Sequence, residues 1–227
     1  MSGPRRARRR AAWAGLALAI LLAACDALPP PTPANCPESA PTADEAQAIL
    51  AEAPTAVVET TLGEFTITLN GAAAPIAAAN FVALARCGFY NGLTFHRVLT
   101  GFVIQAGDPQ TRENQDDFEG LGSAGPGYSF AIEPVPEGVN YDPYAVAMAN
   151  TGLPDSNGSQ FFVCLTDLDN LETFAQRSYT IFGTVTDGRE VVDAIGAVEV
   201  RGVTGVPVDP VVIRRIEIPA VEESTPS

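Results

Sequence analysis

Beyond residue 56 the apolar positions fall in short blocks with a period of two more often than in long helical stretches. Phe65, Ile67 and Leu69 alternate with Glu64, Thr66 and Thr68, the pattern of a strand with one buried face. Val57–Thr61 precedes it, and Leu62-Gly63 between them predicts a hairpin in which Gly63 takes a positive φ. The run P-I-A-A-A-N-F-V-A-L-A-R-C-G begins on Pro75, sets Ile76, Phe81, Leu84 and Ala85 on one face and stops at Gly88, which predicts a helix. The run T-F-H-R-V-L-T-G-F-V-I-Q-A-G-D, residues 94–108, predicts two strands joined by a turn at Thr100-Gly101. Residues 109–127 are polar and glycine-rich, a long loop. Short strands are expected at Val146–Ala149, Phe161–Leu165, Ile181–Val185 and Val211–Ile216. Asp187-Gly188-Arg189-Glu190 has the form of a capping box, ahead of a helix that turns Val191, Val192 and Ile195 inward. Ala43–Ala53 reads as a further short helix.

Many short strands with two clear helices predict a mainly β domain, an antiparallel barrel or sandwich. A barrel buries one face of each strand and leaves no exposed edge.

The N-terminus changes the picture. Met1–Arg10 holds five arginines, and an apolar run follows to Leu22-Ala23-Ala24-Cys25. This is the charged and apolar layout of a secretory signal, too short to span a bilayer. Its end resembles a bacterial lipobox, which implies cleavage before Cys25 and acylation of that thiol, with palmitate as a typical chain. The expected organisation is therefore a signal over 1–24, a Pro/Ala-rich tether over 25–55, a globular domain over 56–219 and a polar tail over 220–227. The protein is expected on the extracytoplasmic side of a membrane, anchored through lipid.

Without residues 1–24 the charge becomes 8 − 27 = −19, since five of the 13 basic residues lie in the signal and all 27 acids lie after it. Such a surface repels phosphate backbones, and nucleic acid is not an expected partner. With Cys25 acylated, Cys36, Cys87 and Cys164 allow one internal disulfide. Cys164 in F-F-V-C-L reads as core, which favours Cys36 with Cys87, although the sequence alone leaves the pairing open. No C-x-x-C and no His/Cys cluster indicates a zinc site, and no cofactor is implied. Ser159 and Cys164 lie in no nucleophile elbow beside the single histidine, His96. The chain has no lysine, so the 109–127 loop is no phosphate cradle of the lysine type.

Three stretches remain, F-H-R-V-L-T-G-F-V-I-Q-A-G-D, M-A-N-T-G-L-P-D-S-N-G-S-Q-F-F-V and Y-T-I-F-G-T-V-T-D-G. Together, and in this order, they resemble the cyclophilin family of peptidyl-prolyl cis-trans isomerases, from about Val57 to Ile218. The resemblance implies a closed eight-stranded antiparallel barrel capped by two helices, with the active site in a groove on the outer face. It implies action on proline-containing unfolded or exported polypeptides, with no cofactor or metal; the sequence gives no sign of oligomerisation, and a monomer is expected.

By the same resemblance Arg97 is the catalytic residue. Phe102, Val103, Phe162 and Leu171 line the proline pocket, with Ala149, Thr151 and Tyr179 around it. Gln105, Gln160 and the main chain of Asn150 bond the substrate backbone, and His96 packs at the groove edge and bonds locally. Alternation alone would serve equally well for Phe102 and Phe162 as barrel core, and for Arg97 as partner of a surface carboxylate. Gln105 and Gln160 fit a core less well, since a buried amide needs partners. The chain departs from the family pattern at Thr100, Val103, Ala106, Thr151 and Tyr179, and in the segment 166–178, which lacks tryptophan. That absence implies weak cyclosporin binding. Two other readings compete: a binding module of the same fold without catalysis, and an unrelated solute-binding lipoprotein.

Overall fold

Ten strands and three helices, in chain order, make up the regular structure of the described residues. In a computed structural model the described residues are 35–113, 122–171, 174, 176 and 178–220. The strands are β1 (Thr55–Thr60), β2 (Gly63–Leu69), β3 (Arg97–Leu99), β4 (Val103–Ala106), β5 (Ala145–Met148), β6 (Phe161–Cys164), β7 (Ile181–Asp187), β8 (Val200–Arg201), β9 (Val206–Pro207) and β10 (Ile213–Glu217). The helices are α1 (Ala43–Ala51), α2 (Pro75–Arg86) and α3 (Arg189–Gly196). The signal, Cys25, the first part of the tether, the middle of the 109–127 loop and the end of the tail lie outside the described residues.

Eight strands form one antiparallel sheet in the order β10-β1-β2-β7-β5-β6-β4-β3. The expected closed barrel is corrected here: the ladder is open between β3 and β10. β3 is only three residues long, and the Val98 N–H bonds Gly205 O of the β8–β9 hairpin at 2.6 Å instead of reaching β10. The chain just before β3 touches the start of β10 through an isolated Thr94–Val212 bridge. The hairpin was not visible in the sequence, since two-residue strands carry no pattern. Among the described residues there are also three α-helices rather than two capping ones, and a short 3-10 helix at Pro109–Arg112.

The sheet is apolar on both faces where β4, β5, β6 and β7 meet. Ile104, Val146, Met148, Phe161, Val163 and Phe182 turn inward onto α2 residues such as Phe81 and Leu84. Their neighbours Val103, Ala145, Ala147, Phe162, Cys164 and Ile181 turn outward into a second cluster with Tyr141, Leu168 and Phe174. Side chains alternate across a strand, so one short apolar run feeds two cores. Cys164 is fully buried in the outer one, where burial pushes its thiol up to about 12.

α2 ends as expected at Gly88: the Gly88 N–H bonds Ala85 O and the Phe89 N–H bonds Leu84 O, both at 2.9 Å, the two bonds of a Schellman motif. Its N-terminus lacks a side-chain cap of its own at Ala74. Glu133 supplies one from a distant loop, its carboxylate accepting from the Ile76 N–H at 2.9 Å and the Ala77 N–H at 2.8 Å. Burial nonetheless holds the Glu133 carboxyl above its ordinary range.

α1 forms behind a capping box, Thr42 with Glu45. It packs on α2, with Ala46 and Ala53 fully buried and an Arg86–Glu52 ion pair at 3.7 Å. A Cys36–Cys87 disulfide ties the start of this segment to the end of α2. Residues 36–53, assigned by composition to the tether, are thus packed on the domain. The capping box expected at Asp187–Glu190 does not form. Gly188 is the N-cap in the left-handed region, at φ 71. A Cβ there would lie 2.2 Å from Glu64 O, so close approach to β2 decides this residue.

Candidate active site

The outward face of the sheet carries one cross-strand row. Arg97 on β3 stands opposite Gln105 on β4, Gln105 opposite Phe162 on β6, Phe162 opposite Ala147 on β5, and Ala147 opposite Ile181 on β7. Their side chains lie on one face because the period of a strand is two and these positions are in register. Arg97 is therefore turned outward, half-buried, while Val98 beside it is fully buried.

Arg97, Gln105 and Phe162 of this row border a groove with two adjoining cavities, while Ala147 and Ile181 are buried in the outer apolar cluster. The larger, about 320 Å³, is bordered by Arg97, Phe102, Val103 and Gln105 on one side and by Ala149, Asn150, Phe162, Leu171 and Tyr179 on the other. Leu171 stands at its rim, 44% exposed. Phe174 completes the wall, a residue the sequence reading missed. Its ring packs on Tyr141 at 4.9 Å, Tyr179 at 5.1 Å, Phe102 at 5.9 Å and Phe162 at 6.0 Å. The only signal for it was an isolated aromatic residue in the polar run 166–178.

The smaller cavity, about 210 Å³, shares Gln105, Ala149 and Asn150 and adds Thr151, Gln160 and the segment Gly122–Gly125. Thr151 borders this cavity and not the larger one. Tyr128 forms part of the wall and donates to the buried Asn80 at 2.7 Å. Burial raises its phenol to about 12. Asn150 is anchored from below, its Nδ2 donating to Ser178 O at 2.9 Å and to Asn157 Oδ1 at 3.2 Å.

Polar groups connect the cavities. Arg97 Nη1 donates to Gln105 Oε1 at 3.4 Å, and Gln105 Nε2 to Gln160 Oε1 at 2.9 Å. Gln160 Nε2 donates to Ala124 O at 2.8 Å. The end of β4 reaches the 159–160 segment through Gly107, at φ 99, where a Cβ would lie 2.4 Å from Ser159 O. Only glycine permits that approach.

His96 departs from expectation. It borders neither cavity and is 4% exposed, and no full hydrogen bond reaches either ring nitrogen, although the Thr94 main chain lies close enough to favour the charged form. It lies beneath the 122–124 segment, where a Cβ on Gly122 would sit 3.8 Å from Nε2. Burial lowers it to about 4, against a smaller opposing pull from Asp108. It is neutral at pH 7 and out of reach of a ligand in the groove. Among the described residues no cluster of His, Cys, Asp or Glu could hold a metal.

The larger cavity thus sets a guanidinium and the amides of Gln105 and Asn150 beside the rings of Phe102, Phe162, Phe174 and Tyr179. The family model described as Cyclophilin type peptidyl-prolyl cis-trans isomerase/CLD matches residues 55–218. The chain belongs to the cyclophilin-type peptidyl-prolyl cis-trans isomerases. It is 41% identical over 182 residues to a probable peptidyl-prolyl cis-trans isomerase A of Mycobacterium leprae, covering 72% of this chain and 91% of that one. It is 38% identical over 186 residues to peptidyl-prolyl cis-trans isomerase B of Streptomyces anulatus, covering 74% and 98%. Among solved structures, a cyclophilin type isomerase of Cryptosporidium parvum, crystallised in the presence of the dipeptide Ala-Pro, superposes with a TM-score of 0.62. That match has 31% identity and covers 72% of this chain and 98% of the other. The cyclophilin-type isomerase domain thus takes in all ten strands, and the large cavity lies within it.

Proposed function

We propose that this isomerase speeds rotation about X–Pro bonds in exported polypeptides, with Arg97 as its catalytic residue. The observation that carries the proposal is the shared cavity: the Arg97 guanidinium and the rings of Phe102, Phe162 and Phe174 border one space of about 320 Å³. An X–Pro ligand of the kind present with the Cryptosporidium cyclophilin suits it, ring against rings, backbone toward Gln105 and Asn150.

The chemistry asked of the site is small. Resonance keeps the peptide bond planar behind a barrier of about 18–20 kcal/mol. For X–Pro the two planar forms differ by only about 0.5–1 kcal/mol, so the site lowers a barrier and leaves the equilibrium alone. Twisting the bond ends delocalisation and leaves a lone pair on the prolyl nitrogen. A fixed cation stabilises that charge distribution better than the planar ground state. Arg97 is always charged and its donors are rigidly arranged. Phe102 and Phe162 hold the ring while the chain on the other side of the bond turns. No step needs a nucleophile or a titrating group, which fits a neutral, buried His96.

The test is the cis-to-trans conversion of a short Pro peptide by the protein and by Arg97→Ala. Arg97→Ala is expected to lose about 10²–10³-fold in kcat/KM, the size of one preorganised donor in an acyl-transfer site. Full activity in Arg97→Ala removes it from the catalytic role, and no rate above background in the unmutated protein favours a binding module.

The charged and apolar N-terminus and Leu22-Ala23-Ala24-Cys25 support lipid anchoring at Cys25 and action outside the cytoplasm, where slow prolyl steps limit the folding of exported chains. Cys25→Ala is expected to release the protein from the membrane fraction. Retention of Cys25→Ala in that fraction, with no acyl mass on the native chain, contradicts the anchor.

A further inference from the structure

We propose that Asp108 is a positioning residue for Arg97, acting through the two glutamines between them by setting which way their amides point. The inference rests on the reading of Arg97 as the catalytic residue.

The four side chains form an ordered row with unlike ends. A guanidinium only donates, a carboxylate only accepts, and a glutamine amide can do either. Arg97 Nη1 donates to Gln105 Oε1 at 3.4 Å, Gln105 Nε2 to Gln160 Oε1 at 2.9 Å, and Gln160 Nε2 to Asp108 Oδ2 at 3.4 Å. Asp108 is fully buried. Its Oδ2 also accepts from the Gly122 N–H at 2.7 Å and the Ala124 N–H at 3.2 Å, and its Oδ1 from the Gln110 N–H at 2.8 Å.

The guanidinium favours the oxygen of Gln105, but at 3.4 Å that preference acts through a long bond. The terminal torsion is broad and roughly two-fold, so a half-turn of Gln105 would set its NH2 against the guanidinium, donor against donor. Here that turn is opposed from two residues away. Gln160 faces two groups that only accept, Asp108 Oδ2 and Ala124 O, so it must give them its NH2. Its oxygen then faces Gln105 and takes that residue's NH2. The Gln105 oxygen is left for Arg97.

Asp108 enforces this twice. Its own oxygen faces Gln160, and by holding the Ala124 N–H it brings the Ala124 carbonyl to 2.8 Å from Gln160 Nε2. The guanidinium therefore meets a fixed acceptor before any substrate arrives. Groups oriented in advance need no reorganisation when charge develops.

Asp108→Asn keeps the size of the side chain and adds a donor, which leaves Ala124 O alone to direct Gln160 and weakens the hold on that carbonyl's own segment. In exchange NMR with saturating Pro peptide, Asp108→Asn is expected to lower kcat about tenfold with KM changed by less than about twofold, the scale of one charge-assisted hydrogen bond. The Arg97 Nε–H and the Gln105 and Gln160 side-chain NH2 resonances are expected to shift. Asp108→Glu keeps a group that only accepts at this place, and its kcat is expected to stay at least about threefold above that of Asp108→Asn.

Unchanged kcat in Asp108→Asn, with Arg97→Ala inactive, overturns the inference and leaves the role of Arg97 standing. Full activity in Arg97→Ala overturns both. A fall in kcat with unmoved side-chain resonances, equal in Asp108→Asn and Asp108→Glu, makes Asp108 a loop anchor only, and overturns it too. The unmutated protein decides the matter if Asp108→Asn does not fold. Proximity of the Gln105 NH2 protons to Gln160 is expected, and their proximity to the Arg97 guanidinium protons overturns the inference.

Discussion

Arg97 and Gln105 face each other across β3 and β4, and the guanidinium donates to the amide oxygen at 3.4 Å. Gln105 borders both cavities of the groove, while Arg97 borders only the one walled by aromatic rings. An ammonium could supply charge here but not a planar fork able to reach Gln105 and the prolyl nitrogen together. Arg97→Lys is therefore expected to lose at least about tenfold in kcat/KM, one hydrogen bond to a charged group, at unchanged melting temperature. A lysine variant with full activity would show that charge alone suffices.

Phe174 touches four other rings, and nothing else described fills its place in the wall. Phe174→Ala should destabilise the fold by about 3 kcal/mol, the lower end for a buried phenylalanine. It should also raise KM for Pro peptides, because the ring's pocket loses a side. Denaturant unfolding and peptide titration measure the two effects separately. The wall offers a phenyl group without an N–H donor, so titration with cyclosporin is expected to show weak binding.

His96 is the one histidine of the chain, and it is buried with no full hydrogen bond on its ring. Its ordinary value of 6.5 falls to about 4 in the folded state, mainly through burial. Between those values the unfolded chain binds the proton and the folded protein does not, so His96 makes stability fall as pH falls. The contribution is about 3 kcal/mol across that window. Asp108, which favours the charged form, and Arg97, which opposes it, are the charged neighbours. His96→Leu removes two unsatisfied nitrogens and should flatten the pH dependence of the urea midpoint over this range. An equally steep dependence in His96→Leu would assign it to the carboxylates.

Glu133 caps α2 from 57 residues away. Glu133→Ala leaves the Ile76 and Ala77 N–H groups without their acceptor and should destabilise the protein by about 1–2 kcal/mol. Hydrogen exchange at those two amides should quicken more than in the rest of α2. Uniform exchange along the helix would mean that the cap is not local.

The legibility of the fold followed exposure. Glu64–Leu69 could be read because one face of β2 meets water, and the hairpin turn at Gly63, φ 133, came with it. β4 and β6 are buried on both faces, so alternation said nothing about whether Phe161 or Phe162 faced the groove. The three ordered motifs supplied that distinction. The capping box read at Asp187–Glu190 does not form, because Gly188 is held against β2 in the left-handed region, whereas one that was not read forms at Thr42–Glu45. In the site, Arg97, Gln105 and Gln160 were visible as polar residues in apolar runs. Asp108 and Phe174 were not, because their roles depend on segments brought beside them only by the sheet.

The Cys36–Cys87 bond joins residues 51 positions apart. Any pull on the chain ahead of Cys36 enters the domain through two sulfur atoms at the foot of α2. The intervening stretch, α1 and the β1–β2 hairpin included, carries none of that load. The usable length of a leash would accordingly be counted back from Cys36, not from the first strand. Chemical reduction would lengthen it and let α1 be peeled from the end.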